Sequence, residues 1–302
     1  MTTILPVRLP DSNVTIGGFS PSDPLIGHRL ERAASIVRHL RQFDISVSFS
    51  SHALQSDDGQ SVAAAMRASD IHDLALDVSV HALIGACGGK ASSQLLDLLD
   101  YRLLAKARKP IIGFSDVGVI LNAITAKTGL VTFYGPNVLS KLNESKHSNL
   151  SALRTGVQRP VENEHAVQLV PGTAEGRLVG GNLSTFTIAI SGTGFEPIFD
   201  STILFWESGT RNWRDIGQYL TALHLRGTLG RIKGMLIGKI GDCYSLSDSE
   251  RRFLLQFLAH LNIPILFSPF FGHGPADNPP LPIGGAVQLT HRGLSFLERL
   301  VE

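Results

Sequence analysis

Cysteine is nearly absent from this 302-residue chain: Cys87 and Cys243 are the only two. Two cysteines cannot build a disulfide framework, and they suit a reducing compartment. Charge of one sign is lacking as well. Lys and Arg total 27 against 26 Asp and Glu, a formal net charge of +1. That balance excludes a protein held on nucleic acid by a basic field, and equally an acidic solvating chain. Long apolar runs are missing too. The longest uncharged stretch, residues 178–195, is interrupted by Gly180, Gly181, Gly192 and Gly194, whereas a membrane-spanning helix needs about 20 mainly apolar residues. The amino terminus has no apolar segment after a basic start, so no signal peptide is expected. A cytoplasmic protein with neither a membrane nor a nucleic-acid polymer as partner is the reading these absences favour.

What is present is a globular composition, 43% hydrophobic over 302 residues, enough for about two domains at roughly 150 residues each. In the first half, helical and strand patterns alternate. Ile26, Leu30, Ala33, Val37 and Leu40 recur at helical spacing, and Ile45, Val47 and Phe49 alternate as in a strand. A helix pattern follows over Ser61–Arg67. Val80–Ile84 reads as a buried strand running into the turn Gly85-Ala86-Cys87-Gly88-Gly89. Ser92 or Ser93 is expected to cap a helix with Leu95, Leu96, Leu99 and Leu103 inside. Then come a short strand at Ile111–Phe114, a helix ending at Gly129 and a strand at Leu130–Tyr134. Strands alternating with helices imply βαβ units, and so a Rossmann-like parallel sheet in the N-terminal domain, residues 1–140. No G-x-G-x-x-G follows the first strand, so no dinucleotide cofactor is expected. Residues 141–176 are polar and irregular and read as a linker. Residues 177–302 read as a smaller α+β C-terminal domain, with strands at Thr202–Trp206, Ile232–Ile237 and Ile263–Phe267 and helices around Ile216–Leu223 and Phe253–Leu258.

In open α/β sheets, working residues collect beyond the carboxyl ends of the strands. Gly113-Phe114-Ser115-Asp116 is a strand-to-helix turn that would expose the Ser115 hydroxyl beside unpaired helix N–H groups, although Val117 replaces the second glycine of G-x-S-x-G. The plain alternative is that Ser115 or Asp116 caps the helix. The Gly85–Gly89 turn could bring a backbone N–H close to a ligand, or be an ordinary tight turn. Cys87 within it could be a nucleophile, but cysteine is among the most buried residue types, and it ranks below Ser115. Glu207 ends an apolar strand, where a carboxylate can orient a histidine or simply face solvent. His273, between Gly272 and Gly274, has the least ordinary setting of the eleven histidines. A serine hydroxyl is a weak nucleophile until an imidazole held in the correct tautomer takes its proton, and Ser115, Glu207 and His273 supply that set. There is no H-E-x-x-H and no C-x-x-C, so no metal is expected.

The chain resembles the LD-carboxypeptidase family of serine peptidases, and within it the microcin C self-immunity (MccF-like) branch. The resemblance runs over nearly the whole length. It is carried by Gly88-Gly89 with residues 94–101, by residues 112–116 and 128–136, by Val179-Gly180-Gly181-Asn182-Leu183, by residues 203–207, and by Gly272-His273-Gly274 before residues 281–284. It implies a serine carboxypeptidase with Ser115 as nucleophile, His273 as general base and Glu207 orienting it. The backbone N–H groups of Gly89 and Asp116 would form the oxyanion hole. No metal or cofactor is implied. The substrate would be a small peptide or a peptidyl or aminoacyl nucleotide, and the family's frequent dimers suggest a homodimer. Peptidoglycan-recycling members carry an arginine where Cys87 stands. Trp206 and Ser208, which flank Glu207, replace a smaller apolar residue and an aspartate, and are expected to reshape the pocket beside the triad. From another class, a non-catalytic small-molecule binding protein on the same fold remains as the alternative.

Overall fold

Side chains on successive strand residues point to opposite faces, and the buried apolar residues follow this rule closely enough to define two sheets and their layers. The computed structural model of the protein describes residues 2–140, 145–197, 201–274 and 278–302, without the side chains of residues 60 and 145–149. In chain order the first half contains β1 (Val14–Phe19), α1 (His28–Leu40), β2 (Ile45–Phe49), the small hairpin β3 (Ser56–Asp57) and β4 (Gln60–Ser61), α2 (Ala64–Leu76), β5 (Ala82–Gly85), α3 (Tyr101–Ala107), β6 (Ile111–Gly113), α4 (Gly118–Thr128) and β7 (Thr132–Tyr134). Then follow α5 (Ser145–Thr155), β8 (Val161–Glu162), β9 (Val167–Val170), β10 (Ala174–Asn182), α6 (Leu183–Ala189), β11 (Thr202–Ser208), α7 (Trp213–Leu225), β12 (Ile232–Ile240), α8 (Asp248–Leu258), β13 (Ile265–Phe267), β14 (Leu281–Ile283), β15 (Ala286–Leu289) and β16 (Gly293–Phe296).

The first sheet has six strands in the order β14-β7-β6-β5-β1-β2. All neighbours are parallel except β14, which runs antiparallel along β7. Leu83 and Ile111 point to the face covered by α2, α3 and α4, whereas Ala82, Ile84 and Ile112 point to the face covered by α1 and α5. Because β1 pairs with β2 on one side and β5 on the other, the chain reverses its winding between β1 and β5. That is where open parallel sheets form their binding crevice. The eight-stranded second sheet, β8-β16-β15-β10-β11-β12-β13-β9, has a parallel centre, β10 to β13, with antiparallel strands outside it. The described part of the expected linker therefore carries a helix and two edge strands; its first residues, 141–144, lie outside the described residues.

One hydrophobic cluster joins the halves. Ile120, Leu121 and Ile124 of α4 share it with Ile203 and Phe205 of β11 and with Leu281 and Ile283 of β14. Three helices differ from expectation. The one expected over Ser61–Arg67 starts at Ala64 and runs on to Leu76, while Ser61 belongs to β4. In α1 the inner residues are Ala33, Ile36 and Leu40, with Leu30 exposed; Gly27 at φ +52° turns the chain just before the helix and leaves Ile26 outside it. The helix expected from Ser92 is a 3-10 turn, and α3 begins only after Asp100, whose Oδ1 accepts from Leu103 N at 3.0 Å. The Ser92 N–H instead donates to Asp116 Oδ2 at 2.9 Å, a tertiary bond that local capping preference could not reveal. No helix among the described residues is long and apolar enough to cross a membrane.

Candidate active site

Ser115 follows β6 at a sharp reversal. Phe114 is extended, Ser115 has φ +61°, and the chain then enters a 3-10 turn leading into α4. A left-handed serine is uncommon and needs support from its surroundings. Asn137 provides part of it: Oδ1 accepts from Phe114 N at 2.8 Å, and Nδ2 donates to Phe114 O at 3.3 Å. Gly113 allows the reversal to close, since a Cβ there would meet Val117 Cβ at 2.7 Å.

Glu207 comes from the other sheet. Along β11, Ile203 and Phe205 face the first half, Leu204 and Trp206 the opposite side, and Glu207 returns to the inner face. It is 0% exposed, yet each oxygen has two donors. Oε1 accepts from Tyr134 OH at 2.8 Å and from Asn182 Nδ2 at 3.1 Å; Oε2 accepts from His273 N at 3.2 Å and lies 2.6 Å from His273 Nδ1. Asn182 is there because parallel register sets it beside Glu207. A buried carboxylate is tolerable when its hydrogen-bonding capacity is filled this way.

His273 stands on the loop after β13. Its Nε2 is 3.1 Å from Ser115 Oγ, and its ring packs on Phe114 with centroids 4.9 Å apart. Burial pushes the imidazole pKa down, but the hydrogen bond and charge of Glu207 outweigh that, leaving it above its ordinary value. The structure thus brings Ser115, His273 and Glu207 together from distant parts of the chain. With Nδ1–H held by Glu207, Nε2 offers its lone pair to the hydroxyl, the arrangement that activates a serine.

The remaining expected residues divide by backbone and side chain. Asp116 turns its carboxylate inward to Ser92 N, while its own N–H has no acceptor among the described residues. Gly88 faces the serine: a Cβ on it would lie 3.5 Å from Ser115 Oγ and 3.9 Å from Asp116 N. A Cβ on Gly89 would instead strike Ser22 and Asp23; the Gly89 N–H is likewise without an acceptor among the described residues. Cys87 is withdrawn from the crevice. Its Sγ is 3.0 Å from Asp23 O, and burial pushes the thiol up to about 11, so little thiolate forms near neutrality. Trp206 corrects an expectation. It is buried on the far face of β11 with Nε1 3.3 Å from Met235 Sδ, and strand alternation keeps it out of the pocket. Tyr134, Asn182 and Asn137 complete the site without an individual signal in the sequence; Tyr134-Gly135-Pro136 and Gly180-Gly181-Asn182 are legible there only as motifs. Among the described residues, no group of three or more His, Cys, Asp or Glu side chains could hold a metal ion.

The chain is similar in sequence and in fold to known proteins. The putative carboxypeptidase of Treponema pallidum is 30% identical over 86% of this chain and 84% of its own. The microcin C7 self-immunity protein MccF of Escherichia coli is 26% identical, covering 94% of this chain and 93% of its own. A structure of MccF with aspartyl sulfamoyl adenosine matches with TM-score 0.86 at 24% identity, over 99% of this chain and 100% of that one. The crystal structure of an MccF-like protein from Bacillus anthracis str. Ames matches with TM-score 0.88 at 28% identity, over 98% of this chain and all of the other (100%). Residues 16–135 match the LD-carboxypeptidase N-terminal domain, and residues 175–289 match its C-terminal domain. Both halves of one peptidase architecture are present in order, and the chain belongs to the LD-carboxypeptidase family.

Proposed function

We propose that the protein is a serine carboxypeptidase that cleaves an amide bond near a free carboxylate through an acyl-Ser115 intermediate. One observation carries this reading: the unbroken relay from Ser115 Oγ to His273 Nε2 at 3.1 Å and from Nδ1 to Glu207 Oε2 at 2.6 Å. In acylation, Ser115 Oγ bonds to the carbonyl carbon and its proton moves to His273 Nε2. Collapse of the tetrahedral adduct breaks the C–N bond, and that proton passes to the leaving nitrogen. Water then attacks the ester and gives a proton to Nε2; the acid departs as the proton returns to Oγ. The N–H groups of Asp116 and Gly89, unpaired among the described residues, are the proposed donors to the oxyanion.

The substrate is a small peptide amide, with muropeptides as the first class. A detoxifying hydrolysis of peptidyl or aminoacyl nucleotides is the second reading, favoured by the likeness to MccF along 94% of the chain. A hydrolysis screen of L,D-dipeptides, muropeptides and aminoacyl sulfamoyl adenosines tests both. Ser115→Ala should abolish turnover with an unchanged melting temperature, while Cys87→Ser should retain turnover within a few-fold. Hydrolysis by the serine variant at the parent rate would end the serine reading. Ligand binding without turnover or phosphonate labelling by the parent would leave a binding protein.

A further inference from the structure

Tyr134 lies beneath the relay and belongs to none of its steps. Its ring is 1% exposed, packed between Phe114, tilted at 43°, and Phe205, edge-on at 61°, with centroid distances of 5.1 and 5.3 Å. Two glycines clear its slot. A Cβ on Gly118, at the start of α4, would lie 3.0 Å from Tyr134 Cε2, and one on Gly181, in β10, 3.1 Å from the same atom. Filling a core needs only the ring. The hydroxyl, however, has two specific partners, one on β11 of the second sheet and one on the turn after β6 of the first: it donates to Glu207 Oε1 at 2.8 Å and accepts from Ser115 N at 3.1 Å.

We infer that Tyr134 is a positioning residue whose hydroxyl couples the backbone of Ser115 to the carboxylate of Glu207. The inference rests on the serine-peptidase reading of the same site. The direction of the two bonds is fixed by chemistry. A carboxylate oxygen and a backbone N–H leave one arrangement, N–H to phenol oxygen and phenol O–H to Oε1, and bonds aligned in series strengthen one another. With Tyr134 and Asn182 occupying Oε1, Oε2 alone is left for His273. At the other end, the bond to the Ser115 N–H holds the left-handed residue that aims Oγ at Nε2, and commits that N–H elsewhere than the oxyanion. Burial, followed by the charge and hydrogen bond of Glu207, raises the phenol well above its ordinary pKa, so it stays a donor throughout the working range.

Losing the hydroxyl leaves the Glu207 charge less shared and the imidazolium better stabilised. The test is the rate at which a fluorophosphonate labels the protein across pH, with the labelled peptide identified by mass spectrometry. Tyr134→Phe keeps the ring. It should label about 10- to 100-fold more slowly, the effect of one or two lost hydrogen bonds. Its acid limb should move up by about half a unit to one unit. Replacement of Tyr134 by 3,5-difluorotyrosine keeps the shape and makes a stronger donor, so the limb should move down. Opposite displacements have no source in packing alone. The other charged groups facing the His273 loop, Lys239 and Asp242 beyond the bend at Gly274, are untouched in both variants. Parent-like rates and limbs in both variants would overturn the inference. If Tyr134→Phe fails to fold, the difluorotyrosine form decides, and an unmoved limb overturns it. Failure of the underlying reading looks different: Ser115→Ala would then label as fast as the parent.

Discussion

His273 is subject to two opposing influences, and their balance sets a pH dependence. Desolvation favours the neutral ring; the hydrogen bond and charge of Glu207 favour the protonated one and prevail. In the proposed mechanism His273 must be neutral to act as base, so kcat/KM should climb with pH through a value above the ordinary ~6.5 of imidazole. Glu207→Gln removes the charge and weakens the hydrogen bond, since a neutral amide oxygen is the poorer acceptor. It should carry that limb downward and reduce kcat on the order of 10³–10⁴-fold; a pH–rate series on both proteins checks this, and coincident limbs would refute it. Stability runs the other way. A pKa raised on folding contributes stability fully below the unfolded value, and that contribution is lost as pH rises through the folded one. The pair therefore steadies the fold most where the enzyme is least active. Ser115, Glu207 and His273 were legible individually because each ends a strand pattern in a setting with a chemical use. Tyr134 and Asn182 were not, since Tyr134 reads as a strand aromatic and Asn182 only as part of a glycine motif. In the structure Asn182 caps α6, with Oδ1 accepting from Thr185 N at 3.4 Å, while its Nδ2 serves Glu207.

Among the elements, the junction of β6 with α4 does the most for the site. It is held by Asn137 on one flank and by the close contact of Gly113 with Val117 inside. Val117 is fully buried (0% exposed), so an added methyl at Gly113 has to displace core. Gly113→Ala should therefore cost about 1–3 kcal/mol by overpacking and displace Ser115 from His273. Urea unfolding together with phosphonate labelling would measure both effects; parent-like values in each would show the turn to be more tolerant than its geometry suggests. Other elements show where local patterns fall short. Leu30 fits the helical stripe of α1 but points outward, because the helix rotates to bury Ile36. Ser92 looks like an N-cap but is fully buried, with its N–H held by Asp116 from the next strand–helix turn. In each case a tertiary contact outweighs a local preference of comparable size.

At the scale of the molecule, the geometry of the proposed triad depends on a core common to both halves. Leu281 and Ile283 leave the second half to pair with β7 and pack beside α4, and Ile203 and Phe205 join the same cluster from β11. We propose that the halves unfold together. Calorimetry should show one transition, which Ser115→Ala leaves in place; two well-separated transitions would contradict it.

Period-two and helical apolar patterns in the sequence determined which segments became the parallel strands and most of the helices, since each must bury one face. They also determined which residues stand at strand ends, where a serine, a carboxylate and a histidine can be presented. Only the tertiary structure decided that these three meet, that Glu207 turns inward and Trp206 outward, and that Tyr134 bridges the sheets. Those outcomes follow from the stacking and register of strands distant in the chain, which local spacing does not encode.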